Sequence, residues 1–293
     1  MIGYKAISNL LQQQGVEVVF AMLGGTNVQW AAHGKAESMF DVVTTRHEDT
    51  AVLAASGYSR TTGRVAVATV TRAPGFTNAV SALTTTVHSH VPVVLIVGES
   101  PLTTGFTIQS VDQKGLASVL GAGFHHIASP EELAVKFGQA FDAARWNGSP
   151  QVISIATGLI EAHVSNTTAP DQVRIAEEPD PENISNVIDQ LESAERPLIL
   201  AGRGAMLSGS KEVLEEFSRL IGARVATTLP ANRFFDGHPH DLGICGESSP
   251  PAARDEIARS DVVVAVGASM NQYTTLGGLM FDGAKIVQIE TDA

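Results

Sequence analysis

The sequence predicts an α/β protein of two doubly wound domains, each built around a mainly parallel sheet. Short apolar runs rich in β-branched residues alternate with segments of helical spacing along the whole chain. Several runs, such as VPVVLIVG at 91–98, are apolar on both faces, as strands in the middle of a parallel sheet are. A length of 293 residues corresponds to about two domains.

The first domain is predicted over residues 1–165. Its strands are predicted at 16–20, 40–43, 64–70, 91–98 and 151–157. Small and apolar residues recur at helical spacing in 51–58 and 79–86. The stretch SPEE at 129–132 resembles a capping box with proline at the first helical position, and predicts a helix to about Trp146. This alternation implies right-handed crossovers, with helices on both faces of the sheet.

A second domain is predicted over residues 183–293. The segment 166–182 before it is acidic and contains prolines, which is typical of a linker. Strands are then predicted at 197–202, 224–228, 261–267 and 285–291, and helices at 183–195, 211–222 and 251–260. The second domain therefore repeats the fold class of the first.

Composition excludes several classes of protein. The formal net charge is −12 and no basic cluster occurs, which argues against a nucleic-acid partner. Cys245 is the only cysteine, so no intrachain disulfide can form, which suits a reducing compartment. No signal peptide is recognisable, and no apolar run approaches the roughly 18 residues of a membrane span. We expect a cytoplasmic protein that acts on a small molecule.

Four loops of the first domain follow strands and should share one edge of its sheet. They contain Leu23-Gly24-Gly25, Glu48, Ala73-Pro74-Gly75 and Gly98-Glu99. In open α/β sheets, ligands bind beyond the carboxyl ends of the strands, where helix N-termini offer unpaired N–H groups. The sequence therefore predicts a ligand site at this edge.

Glu48 is the candidate for proton transfer at that edge. It follows Arg46 and His47 at the end of a strand and precedes an apolar helix. A carboxyl group in that position is partly desolvated, which favours its protonated form and suits it to acid–base chemistry. The alternative is that Glu48 or Asp49 only stabilises the N-terminus of the helix. Position alone leaves both interpretations open.

Several long stretches together resemble a known family. GVEVVFAMLGG, TTRHEDTAVLAASGYSRTTGRVAVATVTRAPGFTNAVSAL and HVPVVLIVGES are similar to the pyrimidine-binding domain of thiamine-diphosphate enzymes related to acetolactate synthase, benzoylformate decarboxylase and pyruvate oxidase. RPLILAGRGA and SDVVVAVGASMNQYTT resemble the Rossmann-like central domain of the same family. The resemblance covers essentially the whole chain.

The resemblance implies a role for each candidate site residue. Glu48 matches the glutamate that hydrogen-bonds the aminopyrimidine ring of thiamine diphosphate and activates the cofactor, which carries the difficult chemistry. Gln109, in TIQSVDQ, matches a glutamine that often faces the reacting centre; the alternative is an amide on a surface loop. The residues expected to contact the cofactor besides Glu48 are Gly24, Gly25, Pro74, Gly75 and Asn78.

Other polar residues are weaker candidates for ligand binding. Some relatives bind FAD or an adenosine phosphate in the central domain, and Arg203 in AGRGA follows a strand as a phosphate loop would. A lone Gly-x-Gly is weak evidence for a nucleotide, so we expect no FAD there. The histidines expected to be structural are His88, His90, His125 and His126.

The chain departs from the family pattern in three places. Ala21 to Gly25 stands where the family usually has Gly-x-Pro-Gly, and Ala73 replaces a glycine. Thr71 and Arg72 replace residues that in some relatives include a catalytic histidine, so substrate preference cannot be transferred. Gly-Asp-Gly, the motif that holds Mg²⁺ and the diphosphate in a third domain, occurs nowhere in the sequence. No metal-binding residue is therefore predicted in this chain.

The expected function is that of an alpha-type subunit or fragment of a thiamine-diphosphate-dependent lyase or carboligase, acting on a 2-oxo acid or related acyl donor. A diphosphate-binding domain carrying Gly-Asp-Gly should come from another chain or from a missing segment. We favour a split enzyme, because the chain begins with methionine and stops just past a domain. This chain alone should be inactive, and should form a homo- or hetero-oligomer, a dimer or tetramer. The alternative is a non-catalytic binding or regulatory subunit that retains the fold.

Overall fold

The structure is a computed structural model that describes residues 1–99, 109–165, 167–170 and 178–291. The chain divides into two compact units, Met1–Arg174 and Ile175–Ala293. This division falls inside the segment predicted as a linker, of which residues 166 and 171–177 lie outside the described residues. Each unit is an α/β domain with a parallel sheet, so the predicted fold class is confirmed.

The first unit has six strands and seven α-helices among its described residues. The strands are β1 (Val18–Ala21), β2 (Asp41–Thr44), β3 (Ala66–Thr69), β4 (Val93–Glu99), β5 (Gly123–Ile127) and β6 (Gln151–Ala156). The helices are α1 (Gly3–Gln13), α2 (Val28–Ala36), α3 (Glu48–Thr62), α4 (Ala73–Asn78), α5 (Val80–His88), α6 (Gln113–Leu120) and α7 (Leu133–Asn147). All neighbouring strands are parallel, in the order β2-β1-β3-β4-β6-β5. From β1 the chain adds β2 on one side of the sheet and then adds β3 and the later strands on the other side. Such folds bind ligands at the carboxyl ends of the two strands where the order switches, here β1 and β3.

Hydrophobic residues cover both faces of this sheet. β3 and the first six residues of β4 are buried, as expected for central parallel strands. Helices α1, α2 and α7 contribute to the core on one face. Helices α3, α4, α5 and α6 contribute to the core on the other face. The next described helices along the chain after β2, β3 and β4, which are α3, α4 and α6, therefore lie in the same layer.

Five elements of the first unit were not predicted, and one helix begins later than expected. β5, α1, α2, α4 and α6 have no counterpart in the sequence-based assignment. Helix α7 begins at Leu133 rather than Pro130, with Glu132 as its N-cap residue. Glu132 Oε2 accepts hydrogen bonds from the N–H groups of Ala128 (2.9 Å) and Ser129 (3.3 Å), and its Oε1 pairs with Lys136. The carboxylate thus organises a turn at 129–132 instead of the first helical turn.

The second unit has five strands and five α-helices in its described part. The strands are β7 (Pro197–Ala201), β8 (Arg224–Thr227), β9 (Asp241–Ile244), β10 (Val262–Val266) and β11 (Lys285–Ile289). The helices are α8 (Pro181–Glu192), α9 (Arg203–Leu207), α10 (Lys211–Ile221), α11 (Pro251–Ala258) and α12 (Gln272–Thr275). The strands are parallel in the order β11-β10-β7-β8-β9. β9 was not predicted, because DLGI carries a glycine at φ 75° and joins β8 through an irregular register.

Glycines let the loops after β7 and β10 touch. A Cβ on Gly202 would lie 2.0 Å from the carbonyl oxygen of Gly267 and 2.3 Å from Ala268 Cα. The N–H of Gly204 donates to the same carbonyl at 2.9 Å. Gly202 and Gly204, on either side of Arg203, thus allow main chain to pack on main chain. This contact lies between β7 and β10, where the strand order of the sheet switches from one side of β7 to the other.

No helix in the described parts of either unit combines the length and the apolar character needed to cross a lipid bilayer.

Candidate active site

Glu48 and Asn78 bring two separate helices together at one carboxylate. Glu48 is half-buried and begins α3, just beyond β2. Its Oε2 accepts a hydrogen bond from Asn78 Nδ2 at 3.1 Å. Asn78 is the last residue of α4, which follows β3. Oε1 receives no hydrogen bond from the described residues, so it is the oxygen left for a ligand.

Gly75 keeps the space beside that carboxylate open. A Cβ on Gly75 would lie 3.5 Å from Glu48 Oε1 and only 2.9 Å from Thr71 Oγ1. The preceding Pro74 is exposed in the first turn of α4, where a proline costs no hydrogen bond. The turn therefore brings main chain, rather than a side chain, next to the acid.

The four adjacent ionisable residues at the start of α3 have separate environments. His47 is the N-cap residue, and its Nδ1 accepts from the N–H of Asp49 at 3.2 Å. Asp49 Oδ1 accepts from the N–H of Ala82 in α5 at 3.1 Å. Arg46 is exposed. Both carboxylates lie in the first turn, where the helix dipole favours them, but only Glu48 contacts the glycine turn of α4.

The loop after β1 packs directly on the loop after β3. A Cβ on Gly24 would lie 2.2 Å from Thr71 Cγ2, so any larger residue here would have to displace the side chain of Thr71. Gly25 has no neighbour within 4 Å of the position its Cβ would take. The structure thus joins Gly24 to the Glu48 cluster through Thr71, whereas the position of a Cβ on Gly25 is open space.

Asn27 holds this loop in place and was missed in the sequence. It is 2% exposed. Its Oδ1 accepts from the N–H of Gly24 at 2.8 Å, and its Nδ2 donates to Met22 O and Thr69 Oγ1, both at 3.1 Å. An asparagine three residues after the first glycine of a post-strand loop is the available signal, since Asn side chains bond nearby main chain in turns.

Replacing Asn27 with alanine should therefore loosen the site through the fold. The variant loses three hydrogen bonds, one buried and two partly buried, and leaves their partners unsatisfied, so the free energy of unfolding should fall by about 2–3 kcal/mol. Urea unfolding followed by tryptophan fluorescence measures this, because Trp30 and Trp146 both lie in the first unit. Gln12→Ala, on the exposed face of α1, is the matched control and should change stability by less than about 0.5 kcal/mol. Equal stability of the two variants would contradict the proposed anchoring role.

A cavity of about 530 Å³ lies beside this cluster, next to the carboxyl ends of β4 and β5. Its described lining includes Glu99, Gln109, Val111, Gln113, Phe124 and His126. Phe124 packs against the core that also contains Ala51 of α3 and Phe76 of α4. The cavity therefore opens on the same face of the sheet as Glu48.

A chain of polar side chains forms one wall of the cavity. Glu99 Oε2 lies 2.6 Å from Ser154 Oγ and 2.6 Å from His126 Nδ1. Ser154 Oγ is also 2.9 Å from Gln113 Oε1, and Gln113 Nε2 donates to Gly98 O at 2.9 Å. The neighbouring His125 bonds Gln151 instead, and burial lowers the pKa of its imidazole. Glu99 is thus engaged by protein groups on one of its oxygens.

Among the described residues, Arg72 links Gln109 to the Glu48 cluster. Arg72 Nη1 donates to Gln109 Oε1 at 3.3 Å, and Arg72 is the N-cap residue of α4. The side chains that the structure describes give no contact between Gln109 and Glu48. The two residues predicted to be catalytic therefore belong to adjoining sites.

Metal ligands do not cluster in the described ranges: no three His, Cys, Asp or Glu side chains there are arranged to hold an ion.

Comparison with known families matches both halves of the chain. Residues 1–116 match the model of the N-terminal TPP binding domain of thiamine pyrophosphate enzymes, and residues 184–293 match the model of their central domain. Together these two regions cover most of the sequence.

Several curated proteins match this chain over nearly its whole length. The chain is 28% identical over 309 residues to a "Probable acetolactate synthase large subunit" of Methanocaldococcus jannaschii, covering 100% of this chain and 51% of the relative. It is 30% identical over 305 residues to the protein of that name from Methanococcus aeolicus, again covering 100% and 51%. A sulfoacetaldehyde acetyltransferase of Alcaligenes xylosoxydans xylosoxydans is 29% identical over 290 residues, covering 95% of this chain and 47% of the relative. The chain thus spans about half the length of these relatives.

Proposed function

This chain belongs to the thiamine pyrophosphate enzyme family, and from that premise we propose that it forms the aminopyrimidine-binding part of a thiamine-diphosphate-dependent lyase or carboligase. The proposed substrate is a 2-oxo acid or a related acyl donor. The observation that carries the proposal is the half-buried Glu48 carboxyl, held by Asn78 beside the open turn at Gly75.

The described residues fit the pyrimidine ring of such a cofactor. Because residue 75 is glycine, no side chain occupies the space next to Glu48 Oε1, where a Cβ would lie 3.5 Å from that oxygen. Asn78 occupies Oε2, so Oε1 is the atom at which Glu48 would exchange a proton with a ring nitrogen. Thiamine diphosphate, when bound, supplies an acidic ring carbon that becomes the nucleophile, and its thiazolium ring supplies the electron sink for bond cleavage.

The other predicted residues would position the ring rather than react. Pro74 and Gly75 would offer main-chain contact, and Gly24 and Gly25 would border the ring from the loop after β1. Gln109 would face the substrate, at the rim of the neighbouring cavity. Each of these roles is a proposal that rests on the family match and on the geometry around Glu48.

The diphosphate and its Mg²⁺ would be held elsewhere. This sequence contains no Gly-Asp-Gly, and magnesium needs preorganised oxygen ligands around the phosphates. We propose that a second polypeptide, or a further segment of the same one, carries that domain and completes the site in a homo- or hetero-oligomer.

Reconstitution tests this function directly. The chain alone should show no turnover of 2-oxo acids with thiamine diphosphate and Mg²⁺. Adding a diphosphate-binding partner that carries Gly-Asp-Gly should produce turnover, and omitting Mg²⁺ should abolish it. Carbon dioxide release and carbonyl-product formation are the measurements. A stable homo-oligomer whose melting temperature and activity ignore cofactor and partner would instead favour a non-catalytic binding protein.

A further inference from the structure

Arg72 lies between the Glu48 cluster and the cavity, and its main chain is fixed there. Its carbonyl accepts from the N–H of Phe76 at 3.0 Å, which anchors it to the first turn of α4. The carbonyl of the preceding Thr71 accepts from the N–H of Gly98 at 3.3 Å, which ties the same turn to β4. The half-buried side chain of Arg72 therefore extends from a rigid base.

The side chain of Arg72 acts on the rim of the cavity through Gln109. Nη1 donates to Gln109 Oε1 at 3.3 Å, and Gln109 lines the cavity. The guanidinium has no acceptor atom, and the bond from Arg72 leaves both N–H groups of Gln109 Nε2 for a ligand. Arg72 and Gln109 together thus offer several N–H donors to a molecule bound at the rim.

The charge of Arg72 has no carboxylate partner among the described residues. Ion pairs involve other arginines and lysines there, and Arg72 is in none of them. Two carboxylates, Glu99 and Asp112, and one cation, Lys114, line the cavity. Glu99 Oε2 lies 2.6 Å from both Ser154 Oγ and His126 Nδ1, and Asp112 Oδ1 accepts from the N–H of Gly115 at 2.8 Å. Val111 and Phe124 make the rest of the described lining partly apolar. A guanidinium at the rim of such a cavity favours an anionic group on the ligand, because guanidinium binds carboxylate through paired, charge-assisted hydrogen bonds.

We propose that Arg72 is a specificity-determining residue that binds the negative charge of the acyl donor, with Gln109 donating beside it. This inference rests on the proposed function and adds to it the residue that selects an anionic over a neutral donor. The apolar lining receives the uncharged part of the same molecule. Glu99 and Asp112 line the cavity against the single lining lysine, Lys114, so a ligand with a second negative charge is disfavoured.

The test uses the reconstituted enzyme with thiamine diphosphate and Mg²⁺. The KM and kcat are measured for 2-oxobutyrate, and inhibition constants for its neutral amide, 2-oxobutanamide, and for the dianion 2-oxoglutarate. The wild-type protein should favour 2-oxobutyrate over both. Arg72→Gln should raise the KM for 2-oxobutyrate by about 10- to 100-fold, with a smaller change in kcat and an unchanged inhibition constant for the amide. Arg72→Lys should recover part of the loss, and Arg60→Gln, exposed in the last turn of α3, should change neither value.

The outcomes separate this inference from the proposed function. Failure of the wild-type protein to turn over any acyl donor or to bind the cofactor would overturn the proposed function and the inference with it. Normal turnover with the same preference for the carboxylate in Arg72→Gln as in wild type would overturn the inference alone. Equal losses for the carboxylate and the amide in Arg72→Gln would also overturn it, since they would indicate a purely structural role.

Discussion

Replacing Glu48 with glutamine is expected to reduce kcat of the reconstituted enzyme by about 100-fold or more, the range associated with loss of a positioned acid–base group. The amide oxygen of glutamine can still accept from Asn78 Nδ2, so the local structure should persist. What the variant lacks is a group that can give and take a proton at the position of Oε1. Turnover and urea unfolding of the same samples measure the two effects.

Asp49→Asn is the matched control for that experiment. It changes the neighbouring carboxylate to an amide in the same helical turn, and its oxygen can still accept from the N–H of Ala82. This variant should keep most of its activity and lose at most about 1 kcal/mol of stability. Near-normal turnover of Glu48→Gln, or equal losses in the two variants, would contradict a proton-transfer role for Glu48.

The largest loss of stability is expected from Gly202→Ala. The new methyl group would meet the carbonyl of Gly267 at 2.0 Å and Ala268 Cα at 2.3 Å. Because both contacts are main chain at the join of β7 and β10, no side-chain rotation relieves them. The free energy of unfolding of the second unit should fall by about 3 kcal/mol or more.

Far-ultraviolet circular dichroism during urea unfolding measures this loss, because it reports both units. Tryptophan fluorescence should change less, since both tryptophans lie in the first unit. Gly57→Ala is the control: nothing lies within 4 Å of the position of its Cβ in α3, and alanine should stabilise that helix by up to about 1 kcal/mol. An unchanged unfolding midpoint for Gly202→Ala would refute the packing role of the Gly-x-Gly around Arg203.

The sheets were predictable wherever burial on both faces dictates an unbroken apolar run. VVLIVGE and PLILA are such runs, and both form central strands. β5 was missed because GFHHI is only partly buried in four of its five positions and carries two histidines. Its pairing with β6 comes from tertiary context, which a local pattern does not contain.

The candidate site was predictable to the level of single loops but not of contacts. Residues that follow parallel strands must share an edge, which is why Glu48, Gly75 and Gly24 lie in neighbouring loops. The hydrogen bond from Asn78 and the anchoring by Asn27 depend on side-chain geometry across separate loops. Arg72 was noticed only as a departure from the family, since its contact with Gln109 spans 37 positions in the sequence.

The strand that leads to Glu48 is the outermost of its sheet, and three of its four residues are exposed. Marginal strands open more readily than interior ones, because fewer packed neighbours oppose their fraying. Asn78 and Gly75 instead follow β3, whose four residues are all buried. Separation of the Glu48 carboxyl from the turn at Gly75 should therefore depend on how readily β2 frays from the edge of the sheet. A neighbouring molecule that covered β2 would restrain that fraying.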